Sequence, residues 1–439
     1  MEGLIGIIGL LLGIIILIIF AYKGLGALPL TLFAGLFVIV ANKMNFWEAL
    51  SEHYMSGYLG FFKSNFFIFV SSSFYAKIME ESKAAVSIGY KFIDWFGTKR
   101  AVLVVFLATA VLTYGGVSLF VVVFAIAPII MLLFKEADIP RRLAMGPLLA
   151  GAATFTMTSL PGTPQLTNVI PTRFLGTTMT AAPVFSMVAS VALFVLCYVY
   201  LEWEEKRLKR NGEHFSFPEG VNESAYKVDR SQLPPATISF IPLIIIVGMI
   251  IGLRNVIKNS TQLVVLAMSI ASIVALVLNW RRIEDKQKCV NTGFLGAISA
   301  IAGPCAVVGF GTLVKNAPAF QSVVNWVLSF DMHPYVTGPL ATAIISGITG
   351  SSSGGITITL EALGPQLIST GANMSIVHRL MSIAAGSLDS LPHSSALFLM
   401  FSYLGVTHKE GYRFVFVTTV LVPSIVCILG VIASLVLKL

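Results

Sequence analysis

Residues 337–369 read TGPLATAIISGITGSSSGGITITLEALGPQLIS. Two apolar arms flank a polar, glycine-rich interruption, GSSSGG at 350–355. A helix needs about 20 apolar residues to cross a hydrocarbon core of about 30 Å, and neither arm has them. The earlier segment 101–134 has the same shape, broken at Thr113-Tyr114-Gly115-Gly116. Arms of about 15 residues make roughly 22 Å of helix. Two arms too short to cross predict a re-entrant hairpin in each segment, with a single kinked span as the plainer alternative.

The rest of the chain supports a membrane setting. Of 439 residues, 56% are hydrophobic and only 11% charged, with a mean hydropathy of +0.86. Soluble domains carry about twice that share of charge. Apolar runs at 4–20, 26–42, 60–76, 181–201, 236–253, 262–280 and 414–437 have helical length and lack the alternation of a membrane barrel. The expected class is an all-α integral membrane protein. The first run follows Met1-Glu2 without a basic flank or small-residue cleavage site, so it reads as a retained span. Cys197, Cys289, Cys305 and Cys427 are scattered and read as buried thiols, not a metal site. The net charge of +8 sits in short loops, which points to topology and not to nucleic acid.

Weak echoes recur on either side of the hydrophilic stretch 202–234. LATAVL (107–112) matches LATAII (340–345), and Gly115-Gly116 matches Gly354-Gly355. Pro128 matches Pro365, SLP (159–161) recurs at 390–392, and Leu175-Gly176 recurs as Leu404-Gly405. The pairs keep their order and lie 229 to 239 residues apart, which indicates a duplication. Segments 143–178 and 379–404 each hold a central Pro-bearing polar break and read as discontinuous spans. Each half then has five spans and a hairpin, and an odd count inverts the second half relative to the first. The expected organisation is a first repeat at 1–201, a cytoplasmic linker at 202–234 and an inverted repeat at 235–439. With 202–234 inside, the inside loops hold 20 of the 29 lysines and arginines, as the positive-inside rule requires.

Backbone cannot be left unpaired in lipid, so breaks at membrane depth line a cavity or water. Four breaks qualify: 113–118, 158–168, 347–359 and 389–396. A helix restarting after such a break aims free N–H groups and a positive dipole end at the cavity, which suits a carboxylate. The candidate substrate-binding residues are Gly116, Ser118, Thr163, Gln165, Thr167, Asn168, Ser351, Ser352, Ser353, Thr357, Ser394 and Ser395. Small polar residues also serve helix packing, so the four breaks together carry this reading rather than any one hydroxyl. Asp389, His393 and Glu361 are candidates for proton coupling, because an ionisable group within a span is costly unless it functions. A polar pair bracing the break is the plainer account of Asp389 and His393. Lys77 and Lys315 lie 238 residues apart and read as duplicated interfacial lysines, Lys315 also as an attractor of anions. Ser390 with His393 and Asp389 superficially suggests a Ser-His-Asp hydrolase. However, GSSSG (350–354), which has the G-x-S-x-G spacing, lies between two apolar helical arms and not at the strand-to-helix turn of a nucleophile elbow, and the HExxH helix of a metallohydrolase is absent. A channel would not require a titratable pair. A secondary transporter remains the preferred class.

LDSLPHSSALFLMFSYLGVTHKEGY (388–412) resembles the hallmark of the gluconate permease (GntP) family, and LPGTPQLTNVIPTRFLGTT (160–178) and SGITGSSSGGITITLEALGP (346–365) resemble its 3-hydroxybutyrate-permease-like branches. The resemblance implies an ion-transporter-superfamily fold and proton-coupled symport of a small hydroxy-carboxylate. It also implies an elevator-like transport motion, a homodimer and residence in the cell inner (plasma) membrane, with no cofactor. Where the family has His-Asn-Gly-Ala, this chain has His393-Ser394-Ser395-Ala396, which leaves the identity of the acid open. The first break lacks the His-Pro-rich motif of the sugar-acid permeases, which favours a short hydroxy acid over gluconate. The lack of a Ser-Asn-Thr sodium motif favours protons over the alternative, sodium coupling.

Overall fold

The computed structural model describes residues 2–218, 230–253, 256–257, 259–329 and 332–439. Among them every regular element is helical. Among the described residues, seven helices are long and apolar enough to cross a membrane.

The first half opens with α1 (Glu2–Tyr22), α2 (Ala27–Ala41) and α3 (Phe46–Glu48), which continues through a π-helical stretch, Ala49–Tyr54, into α4 (Met55–Glu81). Next come the short α5 (Ala84–Phe96), then α6 (Ala101–Tyr114) and α7 (Leu119–Glu136). The broken span is α8 (Met145–Ala152), α9 (Phe155–Thr158) and α10 (Leu166–Leu175), and α11 (Pro183–Arg210) closes the half. The second half repeats the order with α12 (Ala236–Leu253), α13 (Ser260–Leu278), the long α14 (Lys286–Asn316) and the short α15 (Pro318–Leu328). Its hairpin is α16 (Pro334–Thr349) and α17 (Ser352–Ser369), and its broken span is α18 (Met374–Leu388) and α19 (Ser395–Leu404). It ends with α20 (His408–Val415), a π-helical stretch, Phe416–Leu421, and α21 (Val422–Val436). The described helices of the two halves follow the same order, with one hairpin, one short helix and one broken span in each.

Packing follows the same symmetry. α1 packs on α2 and on α15, as α12 packs on α13 and on α5; α2 lies against α14, as α13 lies against α4. α4 and α14 run along one another at the centre. Small residues permit that approach, since a Cβ on Gly57 would lie 2.2 Å from Thr312 Oγ1 and one on Gly309 2.9 Å from the Tyr54 carbonyl. Lys77 and Lys315 fall near the ends of these paired helices, and Lys77 is engaged by Glu80 at 3.2 Å and Glu81 at 2.8 Å. All four cysteines are free and buried.

Three features refine the reading from sequence. The stretch 84–96, which lies between the apolar runs, is an amphipathic helix that buries Ala84, Ala85, Val86 and Ile88 and exposes Trp95 and Phe96. It meets the following helix at 99°, across Gly97, whose φ is +73°. The hairpin arms are unequal, 14 and 18 residues in the first and 16 and 18 in the second. Chain reversal at Gly116 (φ +100°) and Gly350 (φ +62°) defines the hairpins more than arm length does. These two glycines are the structural counterparts, so the Gly354-Gly355 echo is out of register; Gly355 instead lets α17 cross close to Ser346 of α16. Finally, α11 runs past residue 201 to Arg210, stabilised by Glu202–Lys206 and Glu205–Lys209 pairs one turn apart.

Candidate functional site

The tips of both hairpins and the breaks of both discontinuous spans meet at one cavity of about 680 Å³. The residue immediately preceding each of α7, α10, α17 and α19 lines it: Ser118, Gln165, Ser351 and Ser394. Four helix N-termini therefore converge on one space. Only Ser351 caps its own helix, accepting the Gly354 amide at 3.2 Å; Ser118, Gln165 and Ser394 make no side-chain cap. First-turn N–H groups and the positive dipole ends thus remain for a ligand. Apolar lining comes from Phe61 of α4, Phe120 of α7, and Val307 and Val308 of α14. Lys315 and Glu361 sit exposed at the cavity.

The first break is tied by neutral groups. Thr163 donates to the Thr156 carbonyl at 2.6 Å, Thr167 to Met157 at 2.5 Å, and Asn168 to Thr163 and Met179 at 2.8 and 2.9 Å. Gln165 reaches across to the first hairpin tip and donates to the Thr113 carbonyl at 2.8 Å, while the Tyr114 hydroxyl donates to Pro161 at 3.1 Å. The second break uses ionisable groups. The Asp389 carboxylate accepts the Ser390 hydroxyl at 2.9 Å and faces the hydroxyl and amide of Ser352. His393 Nε2 donates to the Gly347 carbonyl at 2.8 Å.

The candidate residues divide accordingly. Ser118, Gln165, Thr167, Ser351, Ser352, Ser353, Thr357, Ser394, Ser395, Asp389 and Glu361 line the cavity. Gly116, Thr163, Asn168 and His393 do not. Gly116 makes the hairpin turn against Pro164, and the other three are buried and engaged with backbone carbonyls. Thr167 and Thr357 donate to backbone carbonyls, Thr357 to Ser353 within its own helix, so their hydroxyls are partly committed.

Two further pairs brace the site and were not singled out from the sequence. His378 and Arg379 on α18 are fully buried. His378 contacts Asn168 Oδ1 at 2.9 Å and Thr177 Oγ1 at 2.7 Å. Arg379 donates to the carbonyls of Thr158 at 2.7 Å and of Met179 and Ala181 at 3.3 Å, neutralising the negative end of the half-helix that stops at Thr158. The second pair belongs to the THKEGY run (407–412). His408 Nε2 meets the Pro392 carbonyl at 3.1 Å and the Tyr412 hydroxyl donates to Ser390 at 3.1 Å, while Thr407 and Glu410 form a capping box that fixes where α20 starts. The run thus supplies donors to carbonyls freed by the break at 390–392.

A model of the GntP family of permeases matches residues 4–439. This chain belongs to the GntP permease family. The permease is 33% identical over 452 residues to the uncharacterized transporter YxjC of Bacillus subtilis (strain 168), covering 94% of this chain and 95% of YxjC. An uncharacterized transporter of Haemophilus influenzae is 19% identical over 325 residues, 73% of each chain. The crystal structure of the Alcanivorax borkumensis YdaH transporter, which has an unusual topology, aligns with 88% of this chain and 87% of its own at a TM-score of 0.44 and 15% identity. The permease is therefore a multi-pass membrane transporter and not an enzyme.

Proposed function

We propose that this permease carries a small hydroxy-carboxylate anion together with protons, by an elevator-like motion of its hairpins and broken spans. The observation that carries the reading is the convergence of four helix N-termini on one cavity. Such ends stabilise a negative charge without a fixed cation, by roughly 0.3–1 kcal/mol each at exposed sites and up to about 2 where partly buried. The hydroxyls of Ser353, Ser394 and Ser395 serve a substrate hydroxyl, and the apolar lining serves a short carbon chain, which supports 3-hydroxybutyrate ahead of gluconate. Asp389, at the cavity, supplies an ionisable group of the kind that proton coupling requires. The broken spans and hairpins pack on one another while α1, α2, α12 and α13 lie outside them, the division an elevator motion needs. The reading places 202–234 in the cytoplasm and the permease in the plasma membrane.

The test is uptake of labelled 3-hydroxybutyrate and gluconate into proteoliposomes under an imposed proton or sodium gradient. The reading predicts accumulation under the proton gradient alone, abolished by a protonophore. Accumulation that follows only sodium would refute the coupling, and failure of both acids to move would refute the substrate class.

A further inference from the structure

The three ionisable candidates, Asp389, His393 and Glu361, stand in different surroundings, and the difference separates their roles. This inference rests on the proton-coupled reading above. The break at 389–393 grips the tip of the second hairpin at both ends. At the start of α17, the Asp389 carboxylate faces the Ser352 amide and hydroxyl. At the end of α16, His393 holds the Gly347 carbonyl, and its ring lies against Gly350, where an added Cβ would come within 3.2 Å of Cδ2. An acid at a helix N-terminus and an N–H donor at a helix C-terminus are each electrostatically matched.

A carbonyl only accepts, so His393 Nε2 carries a hydrogen. Its Nδ1 is buried without a hydrogen-bond partner, and the residue is 2% exposed. A proton added at Nδ1 would lie on a buried ring that does not line the cavity. Asp389, by contrast, lines the cavity and reaches both substrate space and hairpin. Glu361 is exposed, further along α17 and away from the tip. The other ionisable groups about Asp389 are Tyr412, whose hydroxyl is committed to the Ser390 carbonyl, His408, committed to Pro392, and Lys315 across the cavity. The first hairpin offers a contrast: Gln165 and Tyr114 hold it with an amide and a phenol, and among the described residues no acid or imidazole takes part.

We propose that Asp389 carries the coupling proton, that His393 is a positioning residue which latches the second hairpin with a single Nε2 proton throughout the cycle, and that the second hairpin is the coupled gate. Asp389 takes a proton from cavity water on one side, its carboxylate becomes a carboxyl with a weaker hold on the Ser352 amide, and the proton returns to water on the other side.

The experiment uses purified permease in proteoliposomes with labelled 3-hydroxybutyrate, read as accumulation under a pH gradient and as counterflow exchange without one. Asp389→Asn is expected to lose accumulation while keeping exchange. His393→Gln, whose amide can still donate to Gly347, is expected to keep gradient-driven accumulation with the wild-type pH profile at a reduced rate. His393→Ala loses the latch and falls roughly 2- to 10-fold below His393→Gln, the worth of one ordinary hydrogen bond. Accumulation by Asp389→Asn, its folded but inert behaviour in exchange, or exchange without accumulation in His393→Gln would each overturn the proposal. Should Asp389→Asn not fold, the pH profile of His393→Gln decides alone. Wild-type permease that exchanges the acid but ignores the pH gradient refutes the proton-coupled reading itself.

Discussion

The closest helix crossing in the second hairpin gives a quantitative test of the fold around the site. An added Cβ on Gly355 would lie 2.0 Å from Ser346 Oγ, 2.5 Å from Ser346 Cα and 2.6 Å from Ser346 N. The hydroxyl can rotate away, but the two backbone atoms cannot. Restoring ordinary contact at 3.4 Å requires the arms to part by 3.4 minus 2.5, about 0.9 Å. Overpacking of this kind costs about 1–3 kcal/mol, a factor of about 5 to 150 in the population of the native hairpin. The neighbouring Gly354 is the control, since its added Cβ would meet only the Ser351 side chain, at 3.1 and 3.3 Å. Thermal unfolding of the detergent-solubilised protein should show Gly355→Ala melting clearly below wild type, with Gly354→Ala close to it. Ser346→Gly in the Gly355→Ala background should recover little, because Cα and N remain. Equal melting of the two alanine variants, or full rescue by Ser346→Gly, would refute the close crossing.

Other outcomes follow from the bracing residues. Arg379→Met removes the side-chain donor of the Thr158 carbonyl, while Met179 keeps Asn168 and Ala181 keeps Ser186. At roughly 1–3 kcal/mol for a stranded buried group, it should lower the melting temperature more than any change at exposed Lys315. Arg379→Lys should recover only part of that loss, as an ammonium lacks the planar fork. Tyr412→Phe removes one donation to the Ser390 carbonyl and should cost about 0.5–1.5 kcal/mol in the same assay. Asp138, in the loop after α7, accepts His214 Nδ1 at 2.7 Å and the Phe215 amide at 3.0 Å, and these bonds hold its carboxyl below the usual carboxylate range. A lowered folded value means the tether is intact at and above the ordinary carboxylate range and is lost only as pH falls through the lowered value. Pepsin cleavage near 214–218 should therefore rise only at the acid extreme, whereas trypsin cleavage around Arg210 in Asp138→Ala should rise already at neutral pH.

Much of this architecture is legible in the chain because glycine, proline and hydroxyl clusters stand out against an apolar background. Ser118, Gln165, Ser351 and Ser394 can be read as helix restarts since each follows a break and precedes an apolar run. Arm length is a poorer guide: α7 is long enough to cross, and only the φ of Gly116 shows the reversal. His393 reads as a cavity residue because sequence places it in the break, yet the fold turns its ring toward Gly347. The brace formed by His378 and Arg379 was signalled by an adjacent His-Arg in an apolar run. Its partners, Asn168 and the carbonyls at 158, 179 and 181, lie some 200 residues away and emerge only when the halves pack. Likewise, the THKEGY run carries no local hint that His408 and Tyr412 serve the break before it.

The central claim is that helix N-termini, and not a fixed cation, hold the substrate carboxylate. A cryo-electron microscopy structure of the permease with the transported acid bound tests it most directly. The account predicts carboxylate density within hydrogen-bonding distance of first-turn amides of α10, α17 or α19, between the two hairpin tips. Density with the carboxylate on Lys315 and no helix amide in reach would contradict it.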